Sequence, residues 1–343
     1  MSGTKHTSAE LIDLIGRALT ASGTSADNAA AVARALVAAE IDGQKGHGLS
    51  RVAAYAAQAR SGKVDGRAVP NLQRTRAASV MIDVAHGFAY PAFELATAEL
   101  PKIARETGIA AAGFTRSHHA GALGLVVERI ALTGMLGLMV SNSPHAIAAW
   151  AGRRGLFGTN PIALAAPRPG RDPLIIDLAL SEVARGKIMT AAQKGEPIPD
   201  GWAKDADGNP TTDAAAALKG TLIPIGGAKG AALALMVEIL SAALTGANLA
   251  FQASSFFDAE GVPPGIGQFL MVIDPAAFGG DAFAERIGQL AQSIEADGAR
   301  LPGTRRHALR EAAVRDGVLV EDQLLQQIGR IAEPGASKPQ SGA

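Results

Sequence analysis

No cysteine occurs in this chain, which excludes disulfides, thiolate metal sites and a cysteine nucleophile, and is compatible with a reducing compartment such as the cytoplasm. No sign of charge is in excess either. Thirty-two lysines and arginines balance 32 aspartates and glutamates without a basic block, so neither a nucleic-acid surface nor an anionic-membrane surface is expected. The opening MSGTKHTSAELIDLIG lacks a basic region, an unbroken apolar run and a small-residue cleavage site, so no signal peptide is read there. The most apolar long segment, Ala231 to Thr245, carries Glu238 at its middle and lies between Gly230 and Gly246, which reads as a buried helix of a soluble protein rather than a membrane span. Missing too are Gly-x-Gly-x-x-Gly after a strand, the phosphate loop Gly-x-x-x-x-Gly-Lys-Ser/Thr, the Gly-x-Ser-x-Gly elbow and His-Glu-x-x-His. His118 and His119 are adjacent and cannot easily share one ion. An ordinary Rossmann site, a serine hydrolase and a metal centre are therefore unsupported, and the expected partner is a small molecule.

What is present is enough for a sizeable core, since 48% of 343 residues are apolar. Thr7 and Glu10 have capping-box spacing ahead of a stripe of Leu11, Ile12, Leu14, Ile15 and Leu19, with Gly23 as a stop. Ser25 or Asp27 can cap a second helix carrying Val32, Leu36, Val37 and Ile41, ending near Gly43. From Ala77 to Asp274 short apolar runs such as SVMIDV, MLGLMVSNS, LIIDLAL and QFLMVID read as buried strands. Between them lie helical patterns at Ala92 to Thr107, where Pro101 should kink or interrupt the helix, and at Lys229 to Thr245. The class is α/β or α+β. After Pro275 a helix with Phe283, Ile287, Leu290 and Ile294 on one stripe is expected, and the tail EPGASKPQSGA reads as disordered. No internal repeat is visible.

Five stretches place polar groups in glycine-rich or strand-ending segments. In GHGLSRV (46–52), His47 follows a helix C-terminus whose partial negative charge favours imidazolium, and Arg51 can bind a carboxylate beside it; the alternative is a solvated loop histidine and a surface arginine. SHHAGALG (117–124) is either a small-residue segment that lets a ligand approach or a helix start capped by Ser117. In GRRGLFGTNPIALAAP (152–167), Thr159 and Asn160 stand in a Gly-Pro-bounded turn that is either structural or part of a site. IDLALSEVARGKI (176–188) ends a strand in Arg185, Gly186 and Lys187, which either face a ligand or sit exposed. GGAKGAALALMVEIL puts two glycines and Lys229 at a helix start, able to hold an anion such as a phosphate or merely to begin the helix.

Taken in order, GHGLSR, SHHAGALG, GRRGLFGTNPIALAAP, IDLALSEVARGKI, GEPIPDGWAKDADGNPTTD and GGAKGAALALMVEILSAALTGA resemble the type 2 malate/L-lactate dehydrogenase family, from about Ser8 to Arg310. The family contains nicotinamide-dependent 2-hydroxy acid dehydrogenases and reductases of cyclic imines such as pyrroline-2-carboxylate and piperideine-2-carboxylate. The resemblance implies a non-Rossmann fold with a mostly antiparallel sheet and a helical domain drawn from both chain ends (1–75 with 285–334), a β-rich cofactor and substrate domain (76–284), a disordered tail (335–343) and a homodimer. It implies NAD or NADP as cofactor and a small 2-oxo or 2-hydroxy acid as substrate, with a cyclic imine or a non-catalytic homologue as alternatives. By motif position, His47 is the acid or base at the substrate oxygen, and Arg51 binds the substrate carboxylate. Thr159, Arg185 and Gly186 complete the pocket, and Lys187 adds positive charge near the developing oxyanion. His119, Ala120, Gly121, Ala122, Leu123, Ser143, Asp177, Leu178, Ala179, Ala228 and Lys229 hold the cofactor, joined by Gly303 and Arg305. Two positions depart from relatives. Many have serine where this chain has Gly46, and some imine-reducing ones have aspartate at Lys187, which tilts the expectation towards a 2-oxo acid.

Overall fold

The computed structural model describes residues 3–333. The tail expected to be disordered falls outside the described residues, apart from Glu333. Strand β1 (Gly3–His6) precedes helix α1 (Ser8–Thr20), which starts as its sequence demands: Glu10 N donates to Thr7 Oγ1 at 3.2 Å and Thr7 N to Glu10 Oε2 at 2.8 Å. Helix α2 (Ala26–Ile41) is capped by Ser25, whose β-region backbone lets Oγ accept from Asn28 N, rather than by Asp27. Helix α3 (Val52–Ser61) follows and stops at Gly62, which takes the left-handed conformation an L side chain resists.

The sheet strands then accumulate. They are β2 (Asn71–Arg76), β3 (Ser79–Asp83), β4 (Ile109–Ser117), β5 (Leu136–Ser141), β8 (Ile162–Arg168) and β9 (Arg171–Leu178), with short β6 (Ile147–Ala148) and β7 (Gly155–Phe157) between the last two pairs. Helices α4 (Ala89–Thr107) and α5 (Leu123–Ala131) cover this region. Next come α6 (Arg185–Lys194), β10 (Ala203–Lys204), β11 (Pro210–Thr211), α7 (Ala214–Lys219), β12 (Thr221–Leu222) and α8 (Ala228–Glu238). The chain returns through β13 (Ile266–Ile273), then α9 (Asp281–Ala296), α10 (Thr304–Asp316), β14 (Val318–Glu321) and α11 (Asp322–Ala332).

Seven strands form the main sheet in the order β2-β3-β4-β13-β5-β8-β9, with β3 and β4 parallel and every other neighbouring pair antiparallel. A smaller sheet runs β11-β10-β12-β6-β7, and β1 pairs with β14, so the two ends of the described chain meet. The class is mixed α/β. One core joins Leu11, Ile15, Leu19, Leu36 and Tyr55 of the helices to Ile82, Phe114 and Leu270 of the sheet, and a second lies under α6 and α8 around Ile147, Ile188 and Val237.

Three local expectations need correction. Pro101 does not interrupt α4: Leu100, Pro101, Ile103 and Ala104 are buried against β4, and burying a large apolar side chain at about 1.5–3 kcal/mol offsets the roughly 3 kcal/mol that an interior proline costs. The segment after Gly230 is not fully buried. It opens into a π-helical stretch at Ile239–Ala243, and Leu233, Leu235, Met236, Ile239 and Leu244 are exposed, because no other described element packs on that face. On α9 the stripe passes through buried Ala291 while Leu290 points outward.

Candidate functional site

The turn after α2 is built around one carboxylate. Glu40, on the last turn of α2, accepts Leu49 N at 3.0 Å, and a Cβ on Gly48 would collide with that same carboxylate, so only glycine lets the chain pass. Two short 3₁₀ turns result, Lys45–His47 and Leu49–Arg51. Ser50 Oγ donates to Lys45 O at 2.6 Å and Arg51 Nε to Gly46 O at 2.7 Å, which locks the guanidinium beneath the histidine turn. Gly46 serves through its carbonyl: a Cβ there would meet nothing within 4 Å.

His47 lies in the interior of this turn with Nδ1 buried and unpartnered among the described residues. The helix-end argument predicted a cation, and the structure reverses it. His47 comes six residues after the last residue of α2 and is desolvated, with the Arg51 charge beside it, and its pKa falls to about 4 despite an opposing pull from Asp177. A helix terminus acts only within its own last turn, so burial wins. The His47 ring stacks on His119 with centroids 5.2 Å apart and an 18° tilt.

Ser117 ends β4 rather than capping a helix, since α5 begins only at Leu123. Past the strand, both histidines are buried. His118 Nε2 lies 3.0 Å from Gln58 Oε1, and His119 Nδ1 lies 2.6 Å from the Tyr55 hydroxyl, itself 3.0 Å from that of Tyr90. Burial holds His118 down at about 3 and His119 well below its ordinary range, and holds the Tyr55 phenol up at about 12. The segment before β13 closes the wall: Phe256 packs on His119 at 5.0 Å, and the Arg51 guanidinium lies 4.9 Å from the centre of the Phe257 ring. That segment is tied to α3 by Gln58 Nε2, which donates to Phe256 O and Asp258 O, and to the turn just after α3 by the buried Lys63, which reaches Asp258 at 2.8 Å.

A second cluster centres on Asp177 near the end of β9. Its Oδ2 accepts Gln44 Nε2 at 3.1 Å, Gly124 N at 3.0 Å and Arg306 Nη2 at 3.1 Å. A Cβ on Gly124 would overlap both Arg306 and Asp177. Gln44 Oε1 and Arg306 Nη1 remain buried without partners among the described residues. Ala120, Gly121, Ala122 and Leu123 are buried in the segment leading from His119 to this cluster, with Gly121 in the left-handed region. Gly303 caps α10 at positive φ, and Arg305 is exposed whereas its neighbour Arg306 makes the ion pair.

A third group joins two turns. Thr159 N donates to Ser143 Oγ at 3.1 Å and Leu180 N to Thr159 O at 2.8 Å. Behind them Glu238, buried on α8, accepts Asn142 Nδ2, Asn160 Nδ2 and Ala250 N, which lets Asn160 keep its unusual φ of 39°. Burial pushes the Glu238 carboxyl up against the pull of these donors. Leu178 is exposed and Ala179 half-buried. Arg185 donates to Leu218 O at 2.8 Å and has no carboxylate partner among the described residues, while Gly186 and Lys187 are exposed and the Lys187 ammonium lies 5.9 Å from the Trp202 ring centre. Gly226 and Gly227 take positive φ just before α8, leaving Ala228 and Lys229 exposed at its N-terminus.

His47, Arg51 and His119 are thus in mutual proximity, Asp177 meets the segment after Leu123, and Ser143 meets Thr159. No contact links Lys187 or Lys229 to His47. Sequence reasoning passed over Tyr55, Gln58, Tyr90, Phe256, Phe257, Gln44 and Arg306. A signal existed for two of them: Tyr55 and Gln58 follow Arg51 at four and seven residues, one helical face, and the chain's two tyrosines are Tyr55 and Tyr90. Among the described residues no group of three or more His, Asp or Glu could hold a metal ion, and no helix is long and apolar enough to cross a membrane.

The family model for malate/L-lactate dehydrogenase matches residues 6–329. A (2R)-3-sulfolactate dehydrogenase (NADP(+)) from Chromohalobacter salexigens is 51% identical over 294 residues, covering 85% of this chain and 88% of the relative. A Δ1-pyrroline-2-carboxylate/Δ1-piperideine-2-carboxylate reductase from Pseudomonas putida is 43% identical, covering 86% and 89%. The crystal structure of a Δ1-piperideine-2-carboxylate reductase from Pseudomonas syringae superposes with a TM-score of 0.91 at 38% identity, over 96% of this chain and 99% of the other.

Proposed function

This chain belongs to the malate/L-lactate dehydrogenase family, and from that premise we propose that it interconverts a small 2-oxo acid and its 2-hydroxy acid at His47 and Arg51. It is an enzyme, a nicotinamide-dependent oxidoreductase using NADP or NAD. The observation that carries the proposal is the placing of His47, with a buried unpartnered Nδ1, four residues before an arginine that has no carboxylate partner among the described residues, beside His119 and Phe257. Arg51 takes the substrate carboxylate by a bidentate pair, and the Phe257 ring fixes the plane of the fork.

Bound nicotinamide would supply or accept the hydride at substrate C2. His47 moves the proton at the adjacent oxygen. In hydroxy-acid oxidation the neutral ring is a base ready to take the hydroxyl proton. In reduction it gives a proton up, and the bound carboxylate assists by offsetting the Arg51 charge that depresses the His47 pKa. Thr159, Arg185 and Gly186 line the substrate side, and Lys187 adds positive charge.

The residues present suit the cofactor. Arg306 Nη1 and Gln44 Oε1 are buried polar atoms short of partners, Gly124 lets Arg306 and Asp177 pack against its backbone, and the N-terminus of α8, which no side chain caps, suits a phosphate. The residues assigned to hold it are His119 to Leu123, Ser143, Asp177 to Ala179, Ala228, Lys229, Gly303 and Arg305, with Arg306 added.

The mostly antiparallel sheet and the missing glycine fingerprint support the non-Rossmann reading. The meeting of β1 with β14 and of α1 with α11 supports a helical unit from both chain ends (1–75 with 285–334) packed on a β-rich unit (76–284). The exposed apolar face of α8 and the segment after it supports a homodimer, its occupant being the same face of a second copy. Sedimentation equilibrium should then return twice the 34.9 kDa chain mass, and a monomer at all concentrations would remove the dimer. The cysteine-free composition supports a cytoplasmic location, which fractionation of cells would check.

The assay that tests the function offers NADH and NADPH with pyruvate, oxaloacetate, sulfopyruvate and pyrroline-2-carboxylate in parallel. Turnover of a 2-oxo acid above the imine is expected. Turnover of the imine alone establishes the second reading, which the reductase relatives favour, and turnover of none of the four would place the substrate outside both classes.

A further inference from the structure

Two adjacent buried histidines meet two different partners on one face of α3, and those partners decide where each imidazole carries its proton. Gln58 donates both amide hydrogens, to Phe256 O at 3.0 Å and Asp258 O at 2.8 Å. Its oxygen therefore faces His118 and can only accept, so His118 donates from Nε2 and its Nδ1 is a bare, unpartnered acceptor. His118 is settled as a structural group.

His119 is different. Its Nδ1 lies 2.6 Å from the Tyr55 hydroxyl, and the Tyr55 and Tyr90 hydroxyls are 3.0 Å apart. In one direction Tyr90 donates to Tyr55 and Tyr55 to His119 Nδ1, and every hydroxyl hydrogen is used. In the other direction the Tyr90 hydrogen has no acceptor among the described residues. A Cβ on Gly121 would stand 2.6 Å from the Tyr90 oxygen, so the glycine makes room for the chain of hydrogen bonds. The complete arrangement leaves the single proton of a neutral His119 on Nε2. That atom makes no hydrogen bond to the described residues and is not among the sealed, unpartnered ones. The ring itself is wedged between His47 at 5.2 Å and Phe256 at 5.0 Å.

We propose that Tyr55 is a positioning residue that holds His119 as the Nε2–H tautomer, presenting a neutral, fixed N–H donor beside His47 to a carbonyl or carboxylate oxygen of the bound ligand. Desolvation supports this, since Tyr55 stays a phenol and His119 stays uncharged near neutral pH. A fixed donor needs no reorganisation when charge develops on the ligand oxygen, which is how such groups favour a transition state. That the ligand is the substrate or the cofactor rests on the function proposed above, whereas the tautomer does not.

The experiment is ¹⁵N-histidine NMR on the full chain, with His119 assigned by difference against His119→Gln, alongside steady-state kinetics of Tyr55→Phe. The wild-type protein should show His119 protonated at Nε2 alone. Tyr55→Phe should show a mixture of tautomers at His119 and an unaltered His118 signal, with kcat/KM down about tenfold. If Tyr55→Phe fails to fold, which the His118 signal reports, Tyr90→Phe removes only the outer hydroxyl and should keep the Nε2–H form of His119, because Tyr55 still donates to Nδ1; a tautomer mixture there would overturn the proposal. A wild-type His119 carrying its proton on Nδ1, or a folded Tyr55→Phe that keeps the single Nε2–H form, overturns the proposal. Loss of turnover on every substrate with the tautomer pattern intact would instead strike the functional reading alone.

Discussion

Replacing His47 by alanine is expected to lower kcat by at least about 10²-fold in either direction, the usual contribution of a positioned acid or base. KM should change little, because Arg51 keeps its hold on Gly46 O and its stacking on Phe257 without the imidazole. The pH profile carries the sharper test. With a pKa of about 4, His47 is protonated in roughly one free molecule per thousand at pH 7. Reduction, which needs that proton, should therefore show kcat/KM rising about tenfold for each pH unit lowered between pH 8 and pH 6. Oxidation, which needs the neutral ring, should be flat across the same range and fall only as the pH approaches 4. In kcat, which reports the substrate complex, the reduction limb should move to higher pH, since the bound carboxylate offsets the Arg51 charge. Initial rates of His47→Ala within a few-fold of wild type would remove His47 from the mechanism.

Arg51→Met should raise the KM for the 2-oxo acid by about 30- to 5,000-fold, the range expected when one partner of a hydrogen-bonded charge pair is truncated at roughly 2–5 kcal/mol. A second effect distinguishes this arginine from a surface charge. Arg51 lowers the pKa of His47 through its charge, so its removal should shift the free-enzyme limb in kcat/KM to higher pH. Arg51→Lys should recover part of that shift and little of the affinity, because an ammonium provides charge but not the planar fork that both Gly46 O and the Phe257 face receive. An Arg51→Met enzyme with wild-type KM would place the substrate carboxylate elsewhere.

The two residues at the centre of these predictions were visible in GHGLSRV, and the capping of α1 and α2, the buried strands and the long motifs were equally readable. These features are local. A capping box, an apolar alternation and the His47–Arg51 spacing each depend on residues within about ten positions of one another. What could not be read was how residues far apart in the chain meet. Tyr55 reaches His119 across 64 positions, Gln58 reaches Phe256 across 198, and Arg306 rather than Arg305 reaches Asp177 across 129. One helical step separates the two arginines, so only the placement of α10 selects between them.

By itself, then, the sequence determined the two capped N-terminal helices, the longer buried strands, the family and the chemistry available at His47 and Arg51, because propensity, capping and motif spacing are properties of neighbouring residues. The tertiary structure alone decided the charge of His47 and the partners of His119. Both follow from desolvation, which depends on what the rest of the chain packs against a group: the local helix end argued for an imidazolium, and burial beside Arg51 made it a neutral base.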